Sequence, residues 1–127
     1  MAVKKIKITI KSVESSFKEA ERVASELDKG IFKKRIPTIS FENFETYKRL
    51  LTPRRLELLQ VIKANSPRTI QELASVSSRD FKNVYEDVKI LKIIGLIKLK
   101  KSGPGLTPIV KYTEIDMHIK IPLEVPA

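Results

Sequence analysis

Arg79, Lys82, Asn83 and Glu86, with Lys89 beside them, fall on one arc when their segment is wound at about 100° per residue. Those side chains form a set suited to flat heteroaromatic edges: Arg matches guanine, Asn matches adenine, and Glu accepts from cytosine. The same residue types also make an ordinary solvated helix face, so neighbouring elements have to decide between the two. On the opposite arc stand Phe81, Val84, Val88 and Leu91, which are expected to face a core.

Other chemistries fail on inventory. The chain has no Cys, which excludes disulfides and thiol chemistry, and its single His, His118, argues against a zinc site of ordinary ligands. Gly103-Pro104-Gly105 follows a strand pattern and precedes no helix, so it is not a phosphate-cradling loop. Glu114 and Asp116 share one face of an alternating run, where solvent exposure explains them better than paired carboxylate catalysis. The expectation is a binding protein, not an enzyme, with no cofactor and no metal. With 25 Lys and Arg against 15 Asp and Glu, the net charge is +10, which favours a polyanionic partner and nucleic acid first. That excess lies in residues 1–101; the last stretch is slightly acidic. No long apolar span or lipid-facing helix is evident, and Met1 to Lys11 alternates Lys with Ile instead of building a signal peptide. A soluble, cytoplasmic protein without membrane contact is expected.

The elements that would position the arc can be read in order. Ile6, Ile8 and Ile10 alternate with lysines, which predicts a strand over Val3–Lys11. From Val13, the residues Phe17, Ala20, Ala24 and Leu27 recur at helical spacing, and Gly30 ends the run. Pro37 limits Thr38–Phe41 to a short edge strand, and ENFETYKRLL reads as a short helix with Phe44, Tyr47, Leu50 and Leu51 inward. Thr52-Pro53 starts the next helix, with Leu51 and Leu56 as a hydrophobic staple, and Asn65-Ser66-Pro67 breaks it. Thr69 with Glu72 forms a capping box, and Ser77 with Asp80, flanked by Val76 and Phe81, repeats the pattern. A third helix is therefore expected over 77–94, ending at Gly95. LIKLKK then alternates as a strand, the Gly/Pro turn follows, and Tyr112 to Ile121 alternates as the return strand.

Helix, short helix, tight turn, longer helix and hairpin together make a winged helix-turn-helix. The expected architecture is α+β: an extension over 1–51 (strand-helix-strand-helix), a winged helix over 52–122 with recognition helix 77–94 and wing 96–121, and a tail over 123–127. In that frame Arg79, Lys82, Asn83, Glu86 and Lys89 read bases. Arg54, Arg55, Ser77, Ser78, Lys98, Lys100 and Lys101 hold phosphates. The partner expected is double-stranded DNA, bound by a homodimer. Ile6, Ile8, Ile10 and Phe17 supply either the dimer or partner interface, with the first strand pairing with the return strand of either subunit, or a cover for the chain's own winged helix.

The stretches TISFENFETYKRLLTPRRLELLQVI, RDFKNVYEDVKIL, GLIKLKK and YTEIDMHIKIPL resemble a family of winged-helix regulators of archaea, bacteria and mobile elements. The layout is also similar to the MarR and ArsR superfamilies. The resemblance implies transcriptional regulation, autoregulation beside a small toxin-like protein, and a recognition-helix motif of Lys82, Asn83, Val84, Asp87 and Val88. Against it stands a rival reading, an antitoxin-like or scaffold module that captures a protein and uses the winged helix as a frame.

Overall fold

The computed structural model describes residues 4–31 and 36–119. In chain order these form β1 (Lys5–Ile10), α1 (Val13–Asp28), β2 (Thr38–Phe41), α2 (Phe44–Leu50), α3 (Pro53–Asn65), α4 (Ile70–Ser77), α5 (Phe81–Ile94), β3 (Lys98–Ser102), β4 (Gly105–Ile109) and β5 (Glu114–Ile119). The architecture is α+β, in two compact units whose division falls after Tyr47 and again after Thr113.

The first unit is a three-stranded sheet in the order β2-β1-β5, parallel throughout. β1 and β2 are parallel because α1 returns the chain to the same end of the sheet. Ile6 and Ile8 are buried at 2% and 1% exposure. Thr9 is buried on the other face of β1, and its hydroxyl meets Ser40 Oγ at 3.0 Å, which satisfies it. Ser12 caps α1 by accepting from the Ser15 amide.

The apolar stripe expected to bury α1 does not do so. Phe17 is 66% exposed and Leu27 47%, with Ala20 and Ala24 also in solvent. Alternation in β1 turns Lys7, Thr9 and Lys11 to one side of the strand. Glu19 of α1 pairs with Lys11 there. Phe17 and Ala20 border an open groove with Ser40 and Phe41 instead of closing on the sheet, so the stripe stays in solvent.

Its hydrogen bond from Lys11, followed by the positive charges of Lys11, Arg22 and Lys7, holds the Glu19 carboxyl below its ordinary value despite the opposing cost of burial. A depressed carboxylate stabilises the fold above its unfolded pKa, and the contribution disappears as pH falls through the folded one. This half-exposed pair is screened, so Glu19→Gln should cost no more than about 0.5 kcal/mol at neutral pH. Urea midpoints at pH 7 and pH 3 should differ between the two proteins only at pH 7.

In the second unit α3, α4 and α5 bring Leu58, Leu59, Ile62, Ile70, Leu73, Ala74, Val84, Val88 and Leu91 out of solvent. Thr52 caps α3 with Pro53 at its first position, as its sequence predicts. Thr69 accepts from the Glu72 amide at 3.0 Å, while the return bond reaches the Arg68 amide at 3.4 Å, not that of Thr69. The second predicted box, Ser77 with Asp80, does not form. Ser77 ends α4, Ser78 takes the left-handed conformation at φ 53°, and the Arg79 and Ser78 amides bond back to the Ala74 and Ser75 carbonyls. Asp80 is the N-cap of α5 without a side-chain cap bond, so α5 starts at 81, not 77.

Gly95 closes α5 at φ 105°. Lys98–Ser102 and Gly105–Ile109 then pair antiparallel across Gly103-Pro104. Pro104 cannot take positive φ, which excludes a type I′ turn, and Gly103 at φ 58° supplies the glycine-first order of a II′ turn. This corrects the return strand. The arm predicted over 112–121 is β5, which pairs parallel with β1, and the hairpin closes with β4. Residues 120 and 121 of that arm, Val3 of the predicted first strand and the tail 123–127 lie outside the described residues.

Candidate nucleic-acid interface

α5 presents two sides with opposite assignments. Val84, Val88 and Leu91 are 0%, 1% and 0% exposed, as their spacing predicts. Phe81 does not join them: it is 48% exposed and stacks on Tyr85, ring centroids 5.9 Å apart. As the first residue of α5 it lies at the open end of the arc, where Tyr85 one turn on is its ring partner. Lys82, Asn83, Glu86 and Lys89 are all exposed.

Arg79 does not stand with them. Its guanidinium bonds Asp87 Oδ2 at 2.7 Å, and Arg55 Nε bonds the other carboxylate oxygen at 3.1 Å. Arg55 also donates to the carbonyls of Arg49 and Leu50 at 3.2 and 2.8 Å, closing the C-terminal end of α2. All three side chains are mostly buried. Arg55 and Arg79, assigned to phosphates and bases from sequence, are thus spent inside the unit. Asp87, which the resemblance placed in a recognition motif, is the acceptor that holds them. Its position was a usable signal, because an Asp three residues after Val84 and one before Val88 sits in the apolar arc and has to be paired.

Ser77 also leaves the phosphate set: its hydroxyl is buried and has no hydrogen-bond partner among the described residues. Ser78 and Arg54 remain exposed. In the hairpin, Lys98 and Lys100 lie opposite Ile109 and Thr107 and share a face, while Lys101 alternates to the other. Contact with the Lys111 side chain, then its positive charge, lowers Lys98 from the ordinary lysine value; Tyr112 acts in the opposite direction.

The hairpin is anchored on the turn between α3 and α4. Thr107 Oγ1 donates to the Arg68 carbonyl at 2.6 Å, and a Cβ at Gly105 would stand 3.0 Å from Thr69 Cγ2, so a side chain there would crowd the Thr69 methyl. The exposed α5 side chains and the exposed hairpin lysines thus belong to one compact unit.

That unit, with the first residues of β5, is what comparison recognises: residues 50–117 match the HVO_A0114 family. The chain belongs to the HVO_A0114 family. The matched stretch contains the Arg55–Asp87–Arg79 cluster, the α4–α5 turn and both hairpin strands, and it leaves out β1, α1 and β2. No curated protein matches the chain. Among the described residues no helix is long and apolar enough to cross a membrane, and no group of three or more His, Cys, Asp and Glu is placed to hold a metal ion.

Ile6, Ile8, Ile10 and Phe17, the sequence candidates for an interface, separate in the fold. Ile6 and Ile8 are buried in the single chain and cannot face a partner; Ile10 is half-buried and Phe17 exposed. The strand expected to seek a partner finds one in β5 of its own chain.

Proposed function

We propose that this protein is a cytoplasmic, winged helix-turn-helix transcriptional regulator that binds duplex DNA, with α5 in the major groove and the β3–β4 hairpin as the wing on the backbone. The observation that carries the reading is the exposed row Lys82, Asn83, Glu86 and Lys89 on a helix that follows α4 across a left-handed turn at Ser78. The first three lie in the opening turns of the helix, the part of a recognition helix that reaches base edges. Base reading is assigned to those four residues, and phosphate contact to Arg54, Ser78, Lys98, Lys100 and Lys101. The net charge of +10 supplies the sequence-independent part of the affinity. The protein acts by binding, as a homodimer on two half-sites, without catalysis.

The rival reading, a module that captures another protein such as a small toxin-like partner, has the exposed Phe17 and Leu27 of α1 in its favour. Selection of duplexes from a random pool, followed by binding at 0.15 M salt, decides between the two. Enrichment of one sequence, with binding to random duplex at least about 10³-fold weaker, supports the regulator. A pool that stays random overturns it.

A further inference from the structure

We propose that the free edge of β5 pairs with β5 of a second copy of this chain, antiparallel and centred on Met117, so that the sheet runs on from one protomer into its partner. This deepens the dimer part of the reading above and rests on no property of DNA. β5 is an edge strand, and among the described residues no other strand pairs with its outer side. Each of its six residues is exposed. Ile115, Met117 and Ile119 stand in register with Ile6, Ile8 and Ile10, yet remain 37%, 42% and 51% exposed. Monomeric sheets often blunt such an edge with proline; Glu114–Ile119 contains none, and its charges, Glu114 and Asp116, alternate away from Ile115, Met117 and Ile119.

Two further features select a second copy as the occupant. The Glu114 amide donates to the Lys4 carbonyl of the neighbouring chain segment, so strand alternation points the backbone groups of Ile115, Met117 and Ile119 out of the sheet. Paired about Met117, those residues become the hydrogen-bonded pairs of an antiparallel ladder: Met117 with its own copy, and Ile115 with the second copy's Ile119. The strand reads Glu-Ile-Asp-Met-His-Ile, with carboxylates before Met117 and the imidazole after it. In the same register Asp116 faces the second copy's His118, an acceptor opposite a donor, and the two-fold repeats the pair. A slip of two residues one way sets Asp116 against its own copy, and a slip of one turns the isoleucines to the wrong face. Such self-complementarity is what a two-fold interface requires.

Sedimentation equilibrium on the full chain tests the pairing. The wild type should form a reversible dimer. His118→Asp places carboxylates against Asp116 at both symmetric positions, and the dimer Kd should rise by about tenfold or more. Adding Asp116→His to it restores opposite partners, and Kd should return to within about threefold of wild type. Amides of Ile115, Met117 and Ile119 in the unaltered chain should gain exchange protection as concentration rises. A monomer at about 100 µM overturns the proposal, even if it binds duplex tightly. So does a dimer indifferent to His118→Asp, or a double variant no better than the single one.

Discussion

Asp87→Ala is expected to destabilise the helical unit by about 3 kcal/mol or more, since it leaves two guanidinium groups largely out of solvent without their carboxylate. The Asp87 side chain is 13% exposed, and Arg55 and Arg79 are 17% and 19%. With the slope usual for small domains, the urea midpoint should fall by more than about 1 M. A midpoint within about 0.3 M of wild type would remove the carboxylate from any structural role. Asp87→Asn should lie between, because its amide oxygen still accepts one bond while its NH2 group faces the other arginine.

The order among the arginines follows from their other bonds. Arg55 joins α3 to α5 through Asp87 and also donates to the Arg49 and Leu50 carbonyls, whereas Arg79 reaches the same carboxylate through one guanidinium nitrogen. Arg55→Ala should therefore cost more than Arg79→Ala. Lysine at 55 cannot replace the fork that serves three oxygens at once. The cluster also governs the proposed reading helix: it pins the middle of α5 to α3 and ties the α4–α5 turn, through Arg79, to the same carboxylate. Without it, base recognition would be blurred because the reading side chains are displaced, while all of them are still present.

What the sequence made legible was local. Thr52-Pro53, Thr69, Gly95 and the 84–88–91 spacing place caps and a buried face within a few residues of one another, and the structure agrees at each. What it hid was pairing. Alternation in Glu114–Ile119 says strand but does not choose the neighbour: adjacency along the chain suggested β3 as the hairpin partner, pairing with the first strand stood only as one form of the interface, and the structure gives β1. The true second arm, Gly105–Ile109, contains Pro108, which removes an amide donor and breaks the strand signal, so it read as loop. The arginines failed for a related reason. A surface arginine and one folded back onto a carboxylate 32 residues away look alike until the chain is closed.

Asn83→Ala and the pair Lys98→Gln with Lys100→Gln should separate the two halves of the proposed DNA contact. Asn83 is exposed in the first turn of α5, where a bidentate contact with adenine is worth about 1–3 kcal/mol. Its removal should weaken binding to the selected sequence by about ten- to a hundredfold, leave random duplex unaffected, and relax preference at one position. The lysine pair reads no base. Removing both charges should weaken every duplex together and flatten the slope of log K against log salt by about 1.8, at about 0.9 for each phosphate no longer neutralised. Lys101, on the other side of β3, should contribute less than either if that face of the hairpin meets the backbone. None of these residues belongs to the Arg55–Asp87–Arg79 cluster, so all the variants should unfold at the wild-type urea midpoint. A loss of affinity that tracks a loss of stability would point back to the fold, and equal effects of Asn83→Ala on selected and random duplexes would take base reading away from α5.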